Sequence, residues 1–370
     1  MTDSPAAAAR RIPAGALRDL VRDVFVAAGC AAEEGARIGH YLVRANLTGH
    51  DSHGVIRVPR YLHWLRTGAL RANQSLSVVT ENAAMALIDG NFGFGQSIGP
   101  QAVQMGIDKA REGGVAIVAL RRSGHLGRIG DWAEMAAEAG QVSLHLVNVS
   151  GSVLVAPFGA AERRMATNPL AIGVPLPDAP PLILDFATSL IAEGKALVAL
   201  KGGKPLPAGS LVDGEGKLTD DPSVFYGSED KAGVPNPEGG AGALRAMGEH
   251  KGSGLSIMIE LLAGALTGSG CCGPGPRPLV NGMLSVYMAP GFFESADAFA
   301  AEVRQYVDFV KSARPAASDG EVLVPGEPER RSEARRLAEG VPLPEESWQA
   351  IRAAALEAGL SAQRIDQVVA

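Results

Sequence analysis

Cysteine is scarce: Cys30, Cys271 and Cys272 are the three in a chain of 370 residues. An odd count without a Cys-x-x-Cys pair argues against a disulfide framework and a structural zinc site, and points to a reducing, cytoplasmic setting. Aromatic residues are few, at 5%. Positive charge is not in excess, since 34 Lys and Arg against 40 Asp and Glu leave a net charge of −6. A generic nucleic-acid binder, which needs a basic stripe to meet phosphates, is thereby disfavoured. No apolar run approaches the roughly 20 residues of a membrane span; the best stretch, 255–266, is interrupted by Glu260. The N-terminus has no apolar segment after Arg10 and Arg11, so no secretory signal is expected. Gly (46) and Pro (24) are abundant, and 46% of the residues are hydrophobic. That composition reads as a loop-rich α/β enzyme of small side chains, long enough for two or three structural units.

Hydrophobic spacing predicts helices over 14–28, 32–47 and 57–66, a small helical unit in which Leu17, Leu20, Val21, Val24 and Phe25 face inward. From about residue 84 short apolar runs alternate with helical stretches. Strands are expected at 84–90, 115–121, 142–148, 171–175, 182–187 and 283–289. Helices are expected at 98–112, 130–139, 252–267, 296–311, 328–339 and 345–358. Such alternation by itself leans toward a parallel sheet. Residues 201–249 are irregular and rich in Gly, Pro and Asp, a surface excursion or lid.

One Gly-x-Gly-x-x-Gly string exists, Gly268, Gly270 and Gly273, but it follows a helix and runs into Pro274. A Rossmann fingerprint needs a strand before it and a helix opening after it, so that backbone N–H groups meet the pyrophosphate. A helix-terminating loop is the better reading.

Chemistry concentrates elsewhere. In HDSHGVIR (50–57), His53 precedes Gly54 and stands four residues before Arg57. An imidazole exchanges protons near neutral pH, and a guanidinium clamps a carboxylate through two parallel hydrogen bonds. That pairing suits a 2-hydroxy or 2-oxo acid. The ordinary alternatives are a capping histidine and a solvated helix charge. A rival is a metal-dependent hydrolase using His50, Asp51 and His53, although no third ligand stands at a familiar spacing. In SGHLGRIGD (123–131) a glycine-rich loop carries His125 and Arg128 from a strand into a helix, where α/β enzymes place ligands. His145, inside a strand, reads as a satisfied sheet residue. Asp185 ends the apolar run Leu182–Leu184 and needs a partner, for which an imidazole is one option. Thr188 or Ser189 is expected to cap the following helix. His250 and Lys251 open a helix whose N–H groups form a natural anion site.

These segments, with ATNPLAIGVP (166–175), LDFATS (184–189), GEHKGSGLSIMIELLAGALTG (248–268) and VPGEPE (324–329), occur in one order. Together they resemble the malate/L-lactate dehydrogenase family of the second, non-Rossmann type. Its relatives include ureidoglycolate, sulfolactate, diketogulonate and piperideine-carboxylate enzymes, and the resemblance runs from about residue 14 to 358. It implies an NAD- or NADP-dependent oxidoreductase, usually a homodimer. It also implies an α/β (α+β) fold in which a mainly antiparallel sheet domain binds the cofactor between helical N- and C-terminal parts.

The expected division is a helical unit over 1–80 continued by 290–370, and a sheet domain over 81–289. The resemblance makes His53 the acid/base. His125 carries the proton role in some relatives and is a secondary contact here. Asp185 and Ser52 support the site, and Arg57 or Arg128 holds the substrate carboxylate. Asp185, Phe186, Ala187, His250, Lys251, Gly326, Glu327 and Pro328 match cofactor-contacting positions. No metal, nucleic-acid or membrane partner is expected. The stretch 148–159 is longer than in several relatives and 225–245 is atypical, and both bear on which acid is the substrate.

Overall fold

In the computed structural model, which describes residues 10–200, 205–227, 239–275, 277–317 and 320–368, the first two helices are Ala14–Ala27 and Ala32–Leu47. They pack closely because small residues face the contact. A Cβ on Gly39 would stand 2.7 Å from the Arg18 carbonyl oxygen, and one on Gly35 would stand 2.9 Å from that of Arg22. The predicted inward face is buried, Leu17, Leu20, Val21, Val24 and Phe25 being fully enclosed. Each such side chain contributes about 1.5–3 kcal/mol by leaving water. The same core takes in Val58, Tyr61 and Leu62 of the helix Val58–Arg66 and Trp348, Ile351 and Ala355 of the helix Glu345–Glu357. Two short strands, Arg10–Ile12 and Val341–Leu343, pair antiparallel and tie the two ends of the chain together.

A seven-stranded sheet runs in the order Ser77–Glu81, Met85–Asp89, Val115–Ser123, Val280–Met288, Val142–Ser150, Pro169–Val174, Leu182–Ala187. The first pair is antiparallel and the second parallel. The fold is thus mixed α/β. The strand Ser77–Glu81 is exposed along its whole length, so no burial alternation marks it in the sequence. The helix expected at 98–112 begins at Gly95, and the strand expected at 283–289 begins at Val280.

The chain divides into two units. One contains Leu146–Leu170 and Phe186–Leu284; the other contains Ala7–His145, Ala171–Asp185 and Ser285–Ala370. In the first unit a small sheet joins Leu211–Val212 to Leu218–Thr219 and Ala243–Leu244. Its core gathers Val155, Met165, Phe225 and Leu244. The three short strands lie inside the stretch read as an irregular excursion, of which 201–204 and 228–238 fall outside the described residues. Two-residue strands are too short to show a period. Thr188 and Ser189 do not cap the helix Glu193–Leu200: their hydroxyls donate to the carbonyls of Thr167 and Ile191.

The helix expected over 252–267 is α-helical over His250–Ile259 and π-helical over Glu260–Ala265. Such widened turns cluster at functional sites. Here the turn opens on a buried carboxylate, Glu260, which accepts from the side-chain amides of Asn168 (2.7 Å) and Asn148 (3.1 Å) and from the Cys272 N–H (2.7 Å). The glycine string at 268–273 therefore serves as the loop after this helix, and its Cys272 N–H points to a carboxylate, not to a phosphate.

Candidate active site

His53 ends a 3-10 turn, Asp51–His53, and a second turn, Val55–Arg57, leads into the helix Val58–Arg66. Pro59 sits at the start of that helix, where a missing N–H costs nothing. Gly54 joins the two turns. Its hydrogen faces the side chain of Asn46, whose Oδ1 would be 2.2 Å from a Cβ. The same Oδ1 accepts the Val55 N–H at 2.8 Å, and the Asn46 amide donates to Asp51 at 2.6 Å. Asn46 therefore holds the loop, and Gly54 makes room for it.

The turn carries His53 onto His125. The two rings are stacked, 9° from parallel with centroids 5.2 Å apart, and Nδ1 of His53 lies 3.2 Å from Nε2 of His125. On its other side His125 Nδ1 is 2.6 Å from the Tyr61 hydroxyl. The Gln96 amide nitrogen stands 3.1 Å from that hydroxyl and 3.3 Å from the His125 carbonyl oxygen. Burial and then the Arg57 charge push the His53 pKa down to about 3 and that of His125 well below its ordinary value. Both imidazoles are neutral at physiological pH. Arg57 is aimed by the Ser52 carbonyl, to which its Nε donates at 2.6 Å.

The two expected carboxylate clamps thus have different settings. Arg57 borders the histidines, whereas Arg128 is 3% exposed and donates to Asp131 (2.8 Å) and Glu134 (3.2 Å). Arg44 meets the same two acids, at 3.2 and 2.7 Å. Asp185 belongs to this network. Its Oδ2 accepts the Gly130 N–H at 2.8 Å and lies 3.8 Å from Arg128 Nε. The partner, for which an imidazole was one option, is a guanidinium and a backbone amide. His145, as expected, is satisfied within its sheet, by the hydroxyls of Ser285 (2.8 Å) and Ser143 (3.0 Å).

The geometry gives the metal-ligand reading of 50–53 no support. Asp51 pairs with Arg336 at 2.6 Å, and His50 faces Glu329 at 3.6 Å, so the two side chains are taken by different partners. Among the described residues no group of three His, Cys, Asp or Glu is arranged to hold a metal ion. No helix among them is long and apolar enough to cross a membrane.

In the other unit, His250 and Lys251 open the helix His250–Ile259, as expected, and both are exposed. No ion pair is formed by Lys251 among the described residues. Beside this helix start is a cleft of about 430 Å³ lined in part by Phe158, Gly216, Arg245 and Glu249. Phe158 meets His250 edge to face, with centroids 5.9 Å apart. Gly326, with φ +92°, precedes the helix Glu327–Glu339, in which Pro328 occupies the first turn. The Glu327 carboxylate accepts the Val324 N–H at 3.0 Å and pairs with Lys311, which holds its carboxyl below the usual range. Tyr61 and Gln96 carry no role in the sequence reading. Tyr61 was legible as the residue one helical turn beyond Arg57, whereas nothing periodic singles out Gln96.

Two stacked neutral imidazoles beside an aimed guanidinium are able to exchange a proton next to a group able to bind an anion. The model of the malate/L-lactate dehydrogenase family matches residues 12–352. Hydroxycarboxylate dehydrogenase B of Escherichia coli (strain K12) is 38% identical over 355 residues, covering 95% of each chain. L-lactate dehydrogenase of Cupriavidus necator is 36% identical over 323 residues, covering 86% of this chain and 89% of its own. The solved structure of sulfolactate dehydrogenase from Methanocaldococcus jannaschii superposes with a TM-score of 0.83 at 30% identity, over 97% of this chain and 100% of that one. The chain belongs to the malate/L-lactate dehydrogenase family. It is an oxidoreductase, and membership implies a nicotinamide cofactor. The residues present fit such a group: Lys251, without an ion pair among the described residues, stands at a helix N-terminus that suits a phosphate, and the adjoining cleft has the volume of a small-ligand site.

Proposed function

We propose that the protein catalyses reversible hydride transfer between NAD or NADP and a small 2-hydroxy/2-oxo acid of the malate or lactate kind. The observation that carries this reading is the His53–His125 pair beside Arg57. When bound, the nicotinamide supplies or takes the hydride at the substrate's C2. Arg57 binds the substrate carboxylate through parallel N–H···O bonds. His53 exchanges the proton of the C2 oxygen, and His125 backs it. Ser52 contributes by aiming Arg57. Asp185, held by Gly130 and Arg128, fixes the end of its strand, and Phe186 and Ala187 follow it toward the cofactor. Arg128 serves this positioning network. His250 and Lys251 meet the cofactor phosphates, and Gly326, Glu327 and Pro328 form a second cofactor-contacting loop.

The protein acts in the cytoplasm as a homodimer. Three free cysteines support the first point. An exposed apolar face supports the second: Met258, Leu261 and Leu266 are 54%, 49% and 65% exposed on one helical segment. Sedimentation at micromolar concentration tests the dimer, and a single monomer species rejects it.

The test of the activity is a panel of pyruvate, oxaloacetate and a cyclic imine carboxylic acid, each followed by NADH and by NADPH absorbance. Turnover of at least one, undiminished by EDTA, is expected. No turnover with any acid and either cofactor rejects the reading, and the faster of the two cofactors separates NAD from NADP.

A further inference from the structure

The hydrogen-bond chain behind His53 has a direction that the burial of its members dictates. The Gln96 nitrogen lies 3.3 Å from the His125 carbonyl oxygen. A carbonyl only accepts, so the atom facing it is the amide N–H₂, and the same nitrogen donates to the Tyr61 hydroxyl oxygen at 3.1 Å. Tyr61 is 1% exposed. A buried O–H requires an acceptor, and the acceptor within reach is His125 Nδ1 at 2.6 Å. Nδ1 of His125 is therefore unprotonated, and in a neutral ring the proton resides on Nε2. That Nε2–H points at His53 Nδ1, 3.2 Å away, which must accept. The proton of neutral His53 is then on its Nε2. Among the described residues this nitrogen has no hydrogen-bond partner, and His53 is only partly buried.

We infer that Tyr61, anchored by Gln96, is a positioning residue that sets the tautomers of His125 and, through it, His53, so that the resting site presents His53 Nε2–H as a donor to the substrate's C2 oxygen. The inference rests on the acid/base reading of His53 given above. It assigns the resting site to carbonyl recognition: a 2-oxo oxygen has only lone pairs to offer, and the Nε2–H meets it as a hydrogen bond, while the proton that completes reduction is supplied to the His53–His125 pair from solvent, because a neutral imidazole does not give up its last N–H. Burial also keeps the Tyr61 hydroxyl protonated, its pKa being pushed up to about 12, so the donor at the inner end is permanent.

The experiment is nitrogen NMR of the full chain labelled with ¹⁵N-histidine, at neutral pH and without added cofactor. Protonated and unprotonated ring nitrogens resonate far apart, and the two rings are assigned from His53→Gln and His125→Gln. Both rings should carry the proton on Nε2. In Tyr61→Phe, which keeps the ring and its packing on Phe25 and Phe94, His125 should shift toward the Nδ1–H form and His53 should follow. A proton on Nδ1 of either ring in the unmutated protein overturns the assigned direction, and this holds whether or not the variant folds. Tautomers unchanged in a folded Tyr61→Phe protein overturn the role of Tyr61. The underlying reading fails separately: His53→Gln should lower reduction of pyruvate or oxaloacetate by roughly 10²–10⁴-fold, the usual worth of a positioned acid/base. Near-normal turnover in that variant rejects His53 as the proton carrier.

Discussion

His53 and His125 lie face to face, with Nδ1 of one 3.2 Å from Nε2 of the other. Two imidazolium charges cannot be held at that separation in a buried site, so the pair is stable only while at least one ring stays neutral.

This has a consequence for acid stability, to which the buried His145 adds. The pKa of His53 and of His145 is pushed down to about 3 by burial. In the unfolded chain a histidine protonates near its ordinary value, about 6.5. Between these limits the unfolded state binds more protons, so stability rises with pH. The contribution is complete above about 6.5 and is lost progressively as the pH falls toward 3, by up to about 1.4 kcal/mol per pH unit for each such group. Thermal melts should show Tm falling steeply from pH 6.5 to 4. His145→Gln, which cannot titrate, should flatten that slope while leaving turnover measurable. An unchanged slope would show that His145 is not held neutral.

Gly54→Ala should destabilise the protein by about 1–3 kcal/mol, the cost of forcing a side chain into an occupied space. The added carbon would meet Asn46, and Asn46 holds both Val55 and Asp51. Displacement of that amide would also loosen the turn that carries His53, so kcat should fall with it. Urea unfolding and a steady-state assay measure both effects. A variant of unaltered stability would mean that Asn46 moves aside freely.

Asp185→Asn should lower stability by about 1–3 kcal/mol. It keeps an acceptor for the Gly130 N–H but takes one carboxylate from the buried Arg128, which retains Asp131 and Glu134. Among the described residues no imidazole contacts Asp185, so the pH profile of 2-oxo acid reduction should keep its limbs. A limb displaced relative to the unmutated protein would restore Asp185 to the proton path.

Lys251→Ala should weaken NADH or NADPH binding by about three- to tenfold while changing saturated turnover little. A cation in the first turn of a helix adds to the N–H groups that attract phosphate there. Fluorescence titration of the reduced cofactor measures it. Unchanged affinity with impaired kcat would move Lys251 to the substrate side.

Much of the helical architecture was legible because its causes are local. The inward stripe Leu17, Leu20, Val21, Val24 and Phe25 repeats at helical spacing and is buried as that spacing requires. The strands at 115–123 and 142–150 announce themselves as β-branched and apolar runs. Motif order also sufficed to place the chain within its family, and it singled out His53, His125, Arg57 and Lys251 as candidates for chemistry. The short strands Arg10–Ile12 and Val341–Leu343 escaped notice, because each is stabilised by a partner more than 300 residues away in sequence.

What the tertiary structure decided is which of those chemical residues meet, and in what protonation state. His53 and His125 are 72 positions apart, and their contact depends on a turn held by Asn46 and a loop that runs beside Gln96. Asp185 could be recognised as a costly charge at the end of a strand, but its partner, Arg128, is set by how the 123–131 loop folds back. The same holds for the proton on each imidazole. A histidine in a sequence has two choices of ring nitrogen, and only the burial of the Tyr61 hydroxyl, with His125 Nδ1 as its acceptor among the described residues, removes one of them.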